Sequence, residues 1–167
     1  MVAVIAGVRS LHNVGSMFRS ADAAGVEKIF LAGITPSPLD RFGKARREMA
    51  KVALGAEKTV LWEKVSRLAP LLSRLKRDGY RIFAVEQAKG AIPYYRARAR
   101  EKKIAFMVGN EVRGLTPALL KRCDAILEIP MRGEKESLNV SVAFGIVAFH
   151  LAHQEGLVSL NGAKKGV

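Results

Sequence analysis

The chain has 167 residues, 49% hydrophobic and 26% charged, an ordinary composition for one globular domain able to bury roughly 68–70% of its unfolded surface. Lys and Arg number 28 against 15 Asp and Glu, a formal charge of +13, so the expected partner is a polyanion, with nucleic acid ahead of an anionic membrane. No apolar run nears the ~18 residues of a membrane span. The N-terminus lacks a basic signal region, and the single cysteine (Cys123) and three histidines form no disulfide or metal-ligand pattern. The expectation is a soluble, cytoplasmic, metal-free protein.

In chain order, short β-branched runs alternate with helical stripes. Val2–Ala6 reads as a strand. Val14, Met17, Phe18, Ala21 and Ala24 form a helical stripe closed by Gly25, and Lys28–Ala32 is a second strand. A loop and a basic helical stretch over 41–54 follow, with Arg41, Lys44, Arg46, Arg47 and Lys51. Residues 60–62 are ambiguous. Val65, Leu68, Leu71, Leu72 and Leu75 mark an amphipathic helix ending at Gly79. Arg81–Val85 is a strand, and residues 88–103 form a basic loop or frayed helix carrying Arg96, Arg98, Arg100, Lys102 and Lys103.

Ile104–Val108 is an apolar strand that enters GNEVRGL. Thr116-Pro117 caps a short helix to about Arg122, and 125–129 is a strand before the loop PMRGEKES. From Leu138 to about His153 the sequence is apolar nearly all round, which predicts a buried helix. Alternating strands and helices predict an α/β domain with a mostly parallel sheet over residues 1–160, and a tail at 161–167.

Parallel sheets place ligands at the carboxyl ends of strands, so three polar loops there draw the functional reading. GNEVRG has the outer glycine spacing of a phosphate-binding loop, but Leu115-Thr116 follows where Lys-Ser/Thr is required, and no G-x-G-x-x-G occurs. Its glycines suit either a plain turn or a backbone that approaches a ligand closely. Ser137 is a candidate N-cap. Asn139, beside an apolar face, violates the pattern and is either a functional group or a backbone-satisfying asparagine. Asn13 could cap a helix starting at Val14, and Arg19 lies off the apolar stripe.

Together, HNVGSMFRSADAAG, VGNEVRGL and IPMRGEKESLNVSVAFGI resemble, in order and spacing, the three signature motifs of the SpoU family of RNA ribose 2′-O-methyltransferases in the SPOUT superfamily. The matched segments span residues 5 to 150. The resemblance implies a C-terminal deep trefoil knot that forms an S-adenosylmethionine pocket, and a homodimer with active sites at its interface. It also implies an RNA substrate, either tRNA or rRNA.

Carried over by motif, the catalytic set is Arg19, Asn13, Glu111, Ser137 and Asn139. The cofactor set is Val85, Gly109, Asn110, Ile129, Met131, Ser137 and Leu138. Arg9, Arg19, Arg41, Lys44, Arg46 and Arg47 are expected to bind RNA, with no appended RNA-binding domain to help. Guanidinium stays protonated at ordinary pH, so Arg19 suits alkoxide stabilisation and phosphate clamping better than general-base work. The competing expectation is a non-catalytic RNA-binding or assembly protein of the same fold, against which the complete set of motif residues argues.

Overall fold

The computed structural model describes residues 1–97 and 103–154. Its strands are β1 (Val2–Ala6), β2 (Lys28–Ala32), β3 (Leu61–Val65), β4 (Arg81–Val85), β5 (Ile92–Pro93), β6 (Ile104–Val108) and β7 (Ala125–Glu128). They form a seven-stranded sheet in the order β3-β2-β1-β6-β4-β7-β5. Every ladder in it is parallel. The helices are α1 (Leu11–Ala24), α2 (Arg47–Ala53), α3 (Ala56–Thr59), α4 (Leu68–Arg77), α5 (Pro117–Leu120) and α6 (Val140–Gln154).

Strand alternation sorts the core into two halves, because successive side chains point to opposite faces. Ala3, Ile5, Ile104, Phe106 and Val108 join α1 and α6 through Met17, Phe18, Phe144, Val147 and Leu151. Val2, Val4, Ala105 and Met107 instead meet Leu71, Leu72 and Leu75 of α4. Both faces of the central strands are therefore covered, as apolar runs without polar alternation require. At Gly15 a Cβ would lie 2.8 Å from the Met49 carbonyl oxygen, so glycine is what lets α1 and α2 approach so closely.

Several expectations change. The basic stretch becomes helical only from Arg47, because Asp40 Oδ1 accepts from the Phe42 and Lys44 amides and holds residues 40–44 in a turn. Residues 61–65 form an edge strand, and Val65 belongs to it rather than to α4. Helix α1 starts at Leu11 with Ser10 as its cap, which leaves Asn13 inside the first turn. Ser137 does not cap α6. That helix begins at Val140, and Asn139 Oδ1 accepts the Ser141 amide at 2.8 Å.

Helix α6 is also not covered all round. Phe144, Val147, Ala148, Leu151 and Ala152 are buried, whereas Val142 and Phe149, on one helical face, are 49% and 48% exposed. Helix α6 packs, among the described residues, against α1, the sheet and the turn at Tyr94–Arg96, where the Tyr94 ring meets His150 edge-on at 5.3 Å. Among the described residues, no helix is long and apolar enough to cross a membrane, and no group of His, Cys, Asp or Glu could hold a metal.

Candidate active site

The sheet order reverses direction between β1 and β6, the kind of position where open α/β sheets form a crevice outside the carboxyl ends of their strands. Next to that point lies a cavity of about 480 Å³, within the range of small-molecule sites. Three strand exits line it: Val85–Gln87 after β4, Gly109–Val112 and Gly114 after β6, and Leu127–Ile129 with Met131 at β7. Ser137 to Val140 and Ala143 close one side, and Asn13 reaches in from α1.

The turn after β6 needs glycine at both ends, for different reasons. Gly114 has φ +60°. Gly109 has an ordinary backbone conformation, but a Cβ there would sit 2.6 Å from the Gly114 carbonyl carbon and 2.8 Å from the Leu115 nitrogen. Asn110 fastens the turn from inside: its amide donates to the Gly7 carbonyl at 2.8 Å, and its Oδ1 accepts from the Val112 and Arg113 amides at 3.0 Å. Glu86 braces the far end by accepting from the Leu115 amide at 2.7 Å. The two polar strand-end residues Glu86 and Gln87 are absent from the motif-derived set. The rule that ligands sit at strand carboxyl ends was the available signal for them.

Glu111 joins the three motif loops. Its Oε1 accepts from the Asn13 side chain at 3.2 Å and the Ser10 amide at 3.3 Å, and its Oε2 accepts from the Arg9 amide at 3.3 Å. Asn13 Oδ1 in turn accepts from Asn139 Nδ2 at 3.2 Å, and Asn139 Oδ1 accepts from the Ser141 hydroxyl at 2.7 Å. Burial pushes the Glu111 carboxyl upward. The amide donors of its own backbone and Ser10, with Asn13 and Arg9, outweigh that and hold it below the usual carboxylate range. Glu111 therefore stays ionised and organises the loops at neutral pH.

The motif-derived cofactor residues Val85, Gly109, Asn110, Ile129, Met131, Ser137 and Leu138 all line the cavity, as do Asn13, Glu111 and Asn139. Arg19 does not line it. It lies exposed on α1, six residues beyond Asn13 and so about 9 Å further along the helix axis. Arg9, Arg41, Lys44 and Arg47 are exposed, and Arg46 is half-buried. The Arg41 guanidinium lies 4.7 Å from the exposed Phe42 ring. Of the second basic stretch, Arg96 sits in a 3-10 turn and Lys103 donates to the Asp78 carbonyl at 3.0 Å. Arg98, Arg100 and Lys102 lie outside the described residues, as does the tail.

The model of the SpoU rRNA methylase family matches residues 1–149. The chain belongs to this family. A 23S rRNA (guanosine-2′-O-)-methyltransferase RlmB of Ralstonia nicotianae is 36% identical to this SpoU chain over 95% of it and 60% of the relative. The SpoU chain thus spans less than two thirds of the length of that curated relative. Among solved structures, an AdoMet-bound rRNA methyltransferase from Sinorhizobium meliloti superposes with a TM-score of 0.81 at 28% identity, over 95% of this chain and 56% of the other. A chain solved to study 2-OH methylation of C/U34 on tRNA superposes at 0.76 and 30% identity, over 91% of this chain and 93% of the other. The seven-stranded parallel sheet flanked by helices is accordingly the SpoU fold.

Proposed function

We propose that the chain is an S-adenosylmethionine-dependent methyltransferase acting on a ribose 2′-hydroxyl of tRNA or rRNA. The observation that carries this reading is the make-up of the 480 Å³ cavity. Among the described residues its lining includes the carboxylates Glu86, Glu111 and Glu128 and no lysine or arginine, in a chain of net charge +13. An acidic cavity in a basic protein suits a cationic sulfonium ligand and disfavours a phosphate. Val85, Leu127, Ile129 and Leu138 offer an apolar seat for the adenine, and the close backbone turn at Gly109 offers room for the ligand beside it. In this reading the cavity belongs to the knotted half of the family fold.

The bound cofactor supplies an electrophilic methyl group; everything else falls to the chain. Asn13, Ser137 and Asn139 are neutral hydrogen-bonding groups at the mouth, able to orient a hydroxyl without repelling a cation. Orientation of this kind can supply up to about 7–11 kcal/mol in favourable cases. Glu111 is a positioning residue, since its oxygens are taken up by Asn13 and the amides of Arg9 and Ser10. Arg19 stabilises the developing alkoxide and clamps the neighbouring phosphate, while a phosphate oxygen or water takes the proton.

Arg19 lies outside its own chain's cavity, and α6 exposes Val142 and Phe149. Both features fit a homodimer in which Arg19 of one chain serves the cavity of the other. Complementation tests this. Arg19→Ala and Gly109→Val should each be inactive, and their equimolar mixture should recover about a quarter of wild-type activity, because one composite site in four is then intact. A mixture as inactive as its components would refute the shared site.

A further inference from the structure

The loop between β2 and α2 carries a feature that the site above does not use. Residues 38–46 fold into a small hairpin of their own. The Asp40 amide donates to the Lys44 carbonyl at 2.8 Å, the Arg46 amide donates to the Pro38 carbonyl at 2.9 Å, and Leu39 pairs with Ala45 in an antiparallel bridge. Inside the tip, Asp40 Oδ1 accepts from the Phe42 amide at 2.8 Å and the Lys44 amide at 2.9 Å, and Gly43 takes φ +75°. Pro38 is buried at the foot, and residues 41–45 are exposed.

The tip presents an aromatic ring to water. Phe42 is 71% exposed and joins neither half of the core. The Arg41 guanidinium lies over the ring, 4.7 Å from its centroid, so the opposite face is the one open to solvent. Lone exposed rings are common on protein surfaces. A ring held at the tip of a hydrogen-bonded hairpin, with a cation against one face, is instead preorganised for a ligand.

Charge names that ligand. Residues 38–51 carry five Lys and Arg against two Asp and Glu. Arg41, Lys44 and Arg47 are exposed, and none of the three is in a salt bridge among the described residues. An open π-face among free cations matches an unstacked base between two phosphates. A base inside a duplex is already stacked on both sides and offers the ring no face. One ring suffices for a base, whereas insertion into an anionic membrane asks for a bulky apolar face.

Resting on the RNA-methylating reading, we infer that Phe42 is a stacking platform for an unpaired base of the RNA substrate. Arg41 backs the ring, and its outer edge meets a neighbouring phosphate. The substrate segment next to the methylated ribose is then single-stranded, a loop or bulge rather than a helix.

Affinity of the full chain for a short single-stranded RNA of mixed sequence, and for the same sequence as a duplex, is measured against salt. Phe42→Ala should weaken single-strand binding at least about fivefold and leave the salt slope unchanged, because no charge is lost. Its duplex affinity should stay at the wild-type value. Phe42→Trp should keep the single-strand affinity, and the fluorescence of the added indole should be quenched by the strand. Arg41→Gln should lower the log–log salt slope by about 0.7, and the exposed control Leu61→Ala should bind as wild type. Unchanged single-strand affinity in Phe42→Ala, an equal loss on the duplex, or a wild-type chain that does not bind the strand would overturn the platform. So would a Phe42-dependent change of oligomeric state, or Phe42-dependent binding to phosphatidylserine vesicles, at unchanged RNA affinity. If wild-type protein methylates RNA while Phe42→Ala binds it normally, the platform fails and the activity stands. If the affinities behave as expected and no methyl is transferred, the platform stands and the activity fails.

Discussion

Gly109→Ala is a small change whose effect can be worked out from the turn it disturbs. The added Cβ would lie 2.6 Å from the Gly114 carbonyl carbon and 2.8 Å from the Leu115 nitrogen. The closer of these contacts is about 0.8 Å short of ordinary van der Waals distance, and the obstacle is backbone, which cannot rotate away. Either β6 or the Asn110–Gly114 turn must move. The turn is held by Asn110 to Gly7 and by Glu86 to Leu115, so relief breaks bonds that shape the cavity. Overpacking of this kind costs about 1–3 kcal/mol. If the cost falls on the cofactor-competent turn, affinity for S-adenosylmethionine drops about 5- to 150-fold. Titration calorimetry reads the affinity, and thermal unfolding reads how much strain the fold itself takes. Wild-type affinity with an unchanged melting temperature would refute the reasoning, because it would mean the turn can yield without touching the site.

Two further outcomes follow from protonation. The folded-state value of Glu111 lies below its ordinary one, so its contribution is complete above about pH 4.3 and is lost as pH falls through the lowered value. Cofactor binding should weaken over that acid range, and Glu111→Gln should remove this acid limb while lowering the methyl-transfer rate about five- to tenfold at neutral pH; a mutant that retains the same acid limb would assign it to another group. Burial, with the neighbouring Asp124 charge, pushes the Cys123 thiol up to about 11, so alkylation by iodoacetamide at pH 7.5 should be slow in folded protein and fast in denaturant. Equal rates in the two states would show that the thiol is not held as described.

The parts of the fold that can be read from sequence are those where one physical rule dominates. Strands β1, β2, β4 and β6 are covered on both faces, so each is a bounded apolar run, and their limits agree with the pattern. Strand β3 is an edge strand with Leu61 exposed at 69% and charged Glu63 and Lys64 within it, so neither an apolar run nor clean alternation announces it. Arg41, Lys44, Ala45 and Arg46 favour a helix, yet Gly43 sits at φ +75° and the Asp40 carboxylate captures the local amides first. At the site, Asn139 stands out because it breaks the apolar pattern, whereas its partners could not be inferred. Glu111 and Asn13 are 98 positions apart, Asn13 and Asn139 are 126 apart, and only the strand order brings them together. Motif resemblance supplied their identities, and topology supplied the chain of hydrogen bonds. The position of Arg19 outside the cavity is visible only in three dimensions.

The reading of this chain as a ribose methyltransferase stands on one reaction. Purified protein should be incubated with S-adenosylmethionine carrying a labelled methyl group and with unmodified tRNA and rRNA in parallel. Alkaline hydrolysis should then yield the label in a dinucleotide that resists cleavage, because a methylated 2′-oxygen cannot attack the adjoining phosphate. The same label in that dinucleotide should disappear with Gly109→Val. Label recovered on a base, or no transfer to either RNA by protein that binds the cofactor, would contradict the assignment.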